Sequence, residues 1–327
     1  MRAYLLKRLL LMIPTFLGIT LVTFAVLNLA PGDPLAASSD SLAPGQATRE
    51  SAQAFRRAMG LDRPLPERYL VWLRHVVTFD FGVSSYDHRP VVDKIGEAIP
   101  VTLLLSGLAL LIAYLLAVPL GMLSAVRQGT VLDRALTVGL FLLYSLPSFW
   151  VAILLVLFLG GGRYFDVFPI QGLHSPGAEG LGLPSRAMDL AWHLVLPVFC
   201  LAYGSVAYLS RYARSSLLEV VNQDYIRTAR AKGLPERVVL LKHALRNALI
   251  PILTLLGLSL PHLVGGSVIV EQIFGIPGMG RLGFQAIATR DYNTVMATTT
   301  LAALLTMVGV LLSDLAYCMV DPRIRHS

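Results

Sequence analysis

AIPVTLLLSGLALLIAYLLAVPLGMLSAV, residues 98–126, contains no Asp, Glu, Lys or Arg. About 20 apolar residues in a helix cross the ~30 Å hydrocarbon layer of a bilayer, so this stretch is long enough to span. Five more charge-free stretches meet that length: Leu9–Gly32, Ala135–Gly162, Leu190–Ser210, Asn247–Val270 and Tyr292–Ser313. Prolines inside them, such as Pro119, Pro147, Pro197, Pro251 and Pro261, fit membrane helices, where neighbouring groups satisfy the freed backbone. The 327 residues are 55% hydrophobic and 14% charged, against roughly 25% charged in a soluble domain. The expected fold is an all-α integral membrane protein of six transmembrane helices.

The charges sit in the gaps between the apolar runs. The formal net charge of +7 is therefore a topology signal rather than the basic patch of a nucleic-acid binder. Segments 1–8, 127–134, 211–246 and 321–327 carry fifteen lysines and arginines, and 163–189 and 271–291 carry four. The positive-inside rule then predicts both termini in the cytoplasm. Segment 33–97 also carries eight but is too long for the rule to count. The start of the chain imitates a secretory signal, with Arg2, Lys7 and Arg8 ahead of an apolar run. Signal cores are roughly 7–15 residues, so Leu9–Gly32 reads as an uncleaved first span. The expected organisation is a cytoplasmic terminus 1–8, a first span 9–32, an extracytoplasmic segment 33–97 and a transmembrane domain 98–327. Cys200 and Cys318 lie in or beside apolar runs, with no pairing or metal-ligand spacing.

Within 33–97, Thr48–Met59 reads as a short helix closed by Gly60. Pro66–Phe79 reads as a second, with Leu70, Leu73 and Val77 on one face. The informative polar stretch is 211–246, RYARSSLLEVVNQDYIRTARAKGLPERVVLLKHALR. Asp224 suits the cap of a helix starting at Tyr225. Ala229 and Ala231 make that helix small-surfaced, so another protein can approach closely. Arg230 and Lys232 complement the dipole at its end. Gly233 suits a left-handed terminator, and Pro235 suits the start of the next helix.

DYIRTARAKG at 224–233 resembles the cytoplasmic coupling loop of the permeases of binding-protein-dependent ABC importers. The general signature there is EAA, three residues, Gly, nine residues and I-x-L-P. Aligned on Gly233, Arg227, Thr228 and Ala229 stand at the EAA positions, and His243, Ala244, Leu245 and Arg246 at I-x-L-P. The departures are those of the dipeptide, oligopeptide and nickel branch, with its YIRTARAKG…HALRNALIP run. The resemblance extends through APGDP (30–34), GLDRPLPERYLVWL (60–73), FDFG (79–82), SLPSFW (145–150), VEQIFGIPGMGRL (270–282) and RDY (290–292).

This resemblance implies the type I importer transmembrane fold in the bacterial cytoplasmic (inner) membrane. It implies a permease subunit forming half of a translocation pathway for peptides or related small solutes. Its implied partners are a second homologous permease, two cytoplasmic ATP-binding subunits and an extracytoplasmic substrate-binding protein. The coupling residues it implies are Tyr225, Arg227, Thr228, Ala229, Ala231, Lys232 and Gly233.

The residues themselves exclude an ATP site of the common kind. A phosphate-cradling loop needs G-x-x-x-x-G-K-[ST], and no Gly-Lys pair occurs. No catalytic residue, cofactor or metal is expected, since neither H-E-x-x-H nor G-x-S-x-G is present. The glycines at 275, 278 and 280 read as a tight turn packed on protein rather than a phosphate site. A proton-coupled carrier would place acids in the membrane, and the six stretches hold none. His193 and His262 lie near stretch ends and read as interfacial or hydrogen-bonded. Residues that contact the solute, and the solute itself, are not legible.

Overall fold

The computed structural model describes residues 2–29, 64–161, 164–260 and 262–320, and no β-sheet occurs among them. Thirteen helices are followed here: α1 (Arg2–Leu29), α2 (Leu65–Val77), α3 (Val91–Val126), α4 (Val131–Ser145), α5 (Ser148–Leu159), α6 (Leu183–Val221), α7 (Asp224–Ala231), α8 (Glu236–Val238), α9 (Leu245–Ser259), α10 (His262–Gly265), α11 (Val268–Ile273), α12 (Met279–Ala288) and α13 (Tyr292–Val320). A π-helical stretch, Val239–Ala244, joins α8 to α9. Among the described residues five helical paths are long and apolar enough to cross a membrane, and the bent pair α4–α5 makes a sixth when counted as one. The helix expected over Thr48–Met59 lies outside the described residues.

Two of the expected spans are corrected. Ala135–Gly162 is not one helix: α4 and α5 meet at 94°. Pro147 disfavours the α conformation of the residue before it, and Leu146 is extended, with φ −83° and ψ 128°. The Tyr203 hydroxyl of α6 donates to the Leu146 carbonyl at 2.6 Å, so the broken helix leaves no bare acceptor there. Tyr203→Phe removes that donor. We expect a loss of about 0.5–1.5 kcal/mol, in keeping with hydrogen bonds between membrane helices, read as a lower thermal midpoint of the purified protein in detergent. An unchanged midpoint means the kink holds without it.

The stretch Asn247–Val270 is likewise not one span. The helical path starts earlier, at Glu236, and ends at Ser259. Gly266 then takes φ +67° and Ser267 is extended. The Ser267 side chain accepts from the Val270 amide at 3.5 Å to start α11. Apolarity continues through this region, but the backbone turns.

The chain forms two compact units. The first comprises Met1–Val101 and Pro277–Val308. Here Tyr69 and Trp72 of α2 pack on Phe24 of α1, with ring centroids 5.5 and 5.9 Å away. The helix expected over Pro66–Phe79 is present, but the face it buries differs. Tyr69, Trp72, Leu73 and Val76 turn inward at helical spacing, while Leu70 and Val77 are exposed. The aromatic pair, which hydropathy alone ranks below leucine, decides the orientation.

The first unit also joins two distant motifs. The carboxylate of Asp291, at the start of α13, is 1% exposed. It accepts from the Ser84 hydroxyl, the Ser85 amide at 3.1 Å and the Thr294 hydroxyl at 2.6 Å. Lys94 lies 3.0 Å from Asp87 and 3.9 Å from Asp291. Burial pushes the Asp87 carboxyl up, yet its hydrogen bonds with Ser84 and Lys94 hold it below the usual range. The segment just after the Phe79–Gly82 motif is thus bonded to the Arg290–Tyr292 motif in one polar staple, with Phe81 packed beside Val91, Ile95 and Ala297.

The second unit comprises Thr102–Ile276 and Gly309–Ser327. Its axis is α6, against which α4, α5 and α9 pack. Asp133, in the first turn of α4, takes both Nε and Nη2 of Arg214 on α6 at 2.9 and 3.0 Å. It also accepts from the Gly129 amide at 2.9 Å and from the Ser124 hydroxyl. α3 and α6 cross so closely at Gly121 that a Cβ there would stand 2.5 Å from the Ser210 carbonyl and from Ala213 Cβ. Glu271 of α11 is fully buried, accepting from the Thr102 hydroxyl at 3.2 Å and the Ser267 amide at 3.3 Å. Neither Glu271 nor Asp291 lies within the six charge-free stretches; each adjoins the end of one. His193 is buried and within 2.8 Å of the Asp189 carbonyl, as the hydrogen-bonded reading expects. The glycine-rich turn leaves α11 through Gly275 at φ +62°, with Ile276 buried and its amide 2.8 Å from the Glu271 carbonyl.

Candidate functional site

The polar stretch 211–246 contains the end of α6, then α7, a turn, α8 and the π-helical stretch. α7 is amphipathic. Ile226 is wholly buried and Ala229 nearly so, in a cluster with Ala125, Leu217, Val239, Ala244 and Ala248. Full burial of a side chain such as Ile226 stabilises by roughly 1.5–3 kcal/mol, enough to hold a helix of eight residues that would not persist alone. The opposite face presents Asp224, Arg227, Thr228 and Ala231 in the i, i+3, i+4, i+7 pattern, all exposed.

Asp224 is the first helical residue rather than the cap. Gln223 holds the cap position without a side-chain bond, and the Asp224 carboxylate lies 3.6 Å from Arg227 instead. The Thr228 hydroxyl donates to the Asp224 carbonyl at 2.9 Å, leaving its methyl on the open face. Tyr225 is exposed, and its hydroxyl accepts from Asn247 at 2.9 Å, which ties α7 to α9.

The end of α7 is a Schellman motif. The Gly233 amide bonds the Arg230 carbonyl at 2.9 Å, and the Leu234 amide bonds the Ala229 carbonyl at 3.4 Å. Gly233 takes φ +74°. Lys232 is the last cap residue and is exposed. Pro235 stands at the cap of α8, just ahead of its expected place. Arg230 reaches across the turn to Glu236 with two bonds, at 3.1 and 2.6 Å. That carboxylate raises the Arg230 guanidinium above its ordinary value.

Of the seven residues singled out from sequence, Tyr225, Arg227, Thr228, Ala231, Lys232 and Gly233 come together on an exposed surface. Ala229 does not: it faces the protein's own core, so only Ala231 contributes smallness to the open face. Ile226 and the Arg230–Glu236 clasp were not anticipated. The apolar spacing Ile226, Ala229 and Val239 carries a signal for the first. A clasp between side chains on either side of a turn carries none. The helix and turn place a small, weakly charged ridge, rigidly capped, where a partner's groove can meet it. Among the described residues no group of three or more His, Cys, Asp or Glu suits a metal ion.

Residues 117–326 match the protein family described as binding-protein-dependent transport system inner membrane component, and residues 1–106 match its N-terminal companion. The chain belongs to this family. It is the transmembrane permease component of an ATP-binding-cassette importer, a multi-pass inner-membrane protein. Over 327 residues, all of both chains, it is 42% identical to the oligopeptide transport system permease protein AppB of Bacillus subtilis strain 168. It is 37% identical to the dipeptide transport system permease protein DppB of Escherichia coli K12, across 100% of this chain and 99% of the relative. Among solved structures, the MetNI methionine ABC transporter in inward facing conformations shares the fold, with TM-score 0.52 at 19% identity. The match covers 71% of this permease and 96% of that chain.

Proposed function

We propose that this permease carries peptides or closely related small solutes, and that α7 with its Gly233 turn is the element through which a separate ATP-hydrolysing subunit drives it. The observation that carries the second statement is the exposed ridge Arg227–Thr228–Ala231, held on a buried Ile226 anchor and ended by a positive-φ glycine. The first statement draws on the relatives, whose names are those of oligopeptide and dipeptide permeases. The chain forms one half of the pathway, and a second homologous permease supplies the other. Two ATP-binding subunits in the cytoplasm and an extracytoplasmic solute-binding protein complete the assembly. Both termini and 211–246 face the cytoplasm, and 33–97 faces the opposite side. The absence of a Gly-Lys pair in the sequence supports assigning ATP hydrolysis to the other subunits.

Cross-linking tests orientation and docking together. In a permease without its own cysteines, Thr228→Cys and Ala231→Cys labelled with a maleimide-benzophenone should each photo-cross-link to the ATPase subunit. Ala229→Cys, which points inward, and Glu179→Cys, on the other side, should form none. An adduct at Glu179 with none at Thr228 or Ala231 would reverse the orientation and remove the coupling assignment.

A further inference from the structure

The second unit contains a cleft of about 410 Å³ between α4 and α6. Small-molecule sites run to roughly 300–1,000 Å³, mostly apolar with a few fixed polar groups. This cleft has that composition. Phe141 and Tyr144 form one wall, and Tyr208, Arg211, Tyr212 and Ser215 the other. The Tyr208 and Tyr212 rings lie 4.8 Å apart, so α6 contributes a paired aromatic surface to the same lining as Arg211.

Arg211 is the single charge in this lining. Three residues further along α6, Arg214 is satisfied by both oxygens of Asp133. Arg211 has no such partner among the described residues. A guanidinium can hold a carboxylate through two parallel bonds, and the tyrosines of the same lining carry hydroxyls that can donate to an anion. A single cation also matches a monoanion in charge. The aromatic faces around it would accept an apolar side chain adjoining that anion.

We propose that this cleft binds the transported solute by its terminal carboxylate, with Arg211 as the counter-ion and Tyr144, Tyr208 and Tyr212 as the surrounding wall. This rests on the peptide-import reading above and adds to it a contact point in this chain. A site built to bond a carboxylate rejects the analogue that lacks it far more strongly than a greasy pocket distinguishes shapes.

The test uses the complete importer, with partner permease, ATPases and binding protein, in proteoliposomes. The probes are radiolabelled trialanine and trialanine amide. Arg211→Gln should lower trialanine uptake at least tenfold without lowering uptake of the amide. Arg211→Lys, which keeps the charge without the two parallel bonds, should give trialanine uptake between that of Arg211→Gln and wild type. Arg186→Gln, on the same helix away from the cleft, should match wild type. A benzophenone-bearing tripeptide trapped during turnover should label α6 near Arg211 in wild type and not in Arg211→Gln.

Unchanged trialanine uptake in Arg211→Gln would overturn the proposal. So would equal loss of both peptides, which makes Arg211 structural. Wild-type uptake that falls to the Arg211→Gln level in vesicles of phosphatidylcholine alone would reassign the cleft to an anionic lipid headgroup. If wild type imports no trialanine while hydrolysing ATP, the peptide reading itself fails, and this inference falls with it.

Discussion

Gly233→Val is expected to reach the membrane at near-normal abundance and to abolish solute-stimulated ATP hydrolysis and uptake in the assembled importer. Gly233 stands at φ +74° with open space around it, so the substitution meets no clash. Its effect is purely conformational. An L-residue in the left-handed region costs about 1–2 kcal/mol, more for a β-branched one. The backbone can relieve that strain only by opening the two bonds that end α7. Leu234 and the Arg230–Glu236 clasp then shift, and the exposed ridge moves against its partner. The Ile226 anchor and the spans are untouched, which is why abundance should survive. Thr228→Trp should give the same phenotype through bulk on the open face. Normal uptake in both variants, at normal expression, would reduce this segment to a topology signal.

Gly121→Val should do the opposite, removing the protein rather than uncoupling it. The new Cβ would stand 2.5 Å from the Ser210 carbonyl and from Ala213 Cβ, and 3.0 Å from the Arg214 amide. Two of these are backbone atoms of α6, so no rotamer change relieves the contact. Overpacking costs typically about 1–3 kcal/mol where side chains can adjust, and here the helices must separate. Separation would also disturb Arg214 and its pair with Asp133, leaving a buried carboxylate without its cation. The expected result is a several-fold drop in membrane abundance and no assembled importer. Gly107→Val, on the same helix with nothing within 4 Å, is the control and should accumulate normally. Equal abundance of the two variants would mean that α3 and α6 are not in close contact at this crossing.

Much of this architecture was legible because lipid imposes a simple rule: a long uncharged run becomes a helix. The rule fails where conformation, not polarity, changes. Leu146–Pro147 and Gly266–Ser267 are both apolar enough to pass as span interior, and both are breaks. Hydropathy also misjudged α2, because Tyr69 and Trp72 outcompete Leu70 and Val77 for the surface of α1 through ring contacts. The proposed coupling segment was legible in its turn chemistry: Gly233 and Pro235 stand at the two ends of one turn. Which alanine faces outward was not. It depends on the phase of an eight-residue helix, and that phase is set by Ile226 finding Leu217 and Val239, residues on other elements. The Asp291 staple was visible only as two unconnected motifs, since hydrogen bonds between positions some 200 residues apart leave no local pattern.

The π-helical stretch after Pro235 has a bearing on how chains of this kind should be compared. The buried positions along this path are Val239, Ala244, Ala248 and Ile252, so the first interval is five residues and the following ones are four. A π turn accommodates one more residue than an α turn over the same rise. The stretch therefore acts as a spacer in which a residue can be gained or lost while the flanking faces keep their aim. Two homologues that differ here by a single residue would present the same exposed ridge on α7 and the same span interior. A gap placed in the α-helical part of this path would rotate every later position by about 100°. Alignments should take one-residue differences in this path inside Val239–Ala244.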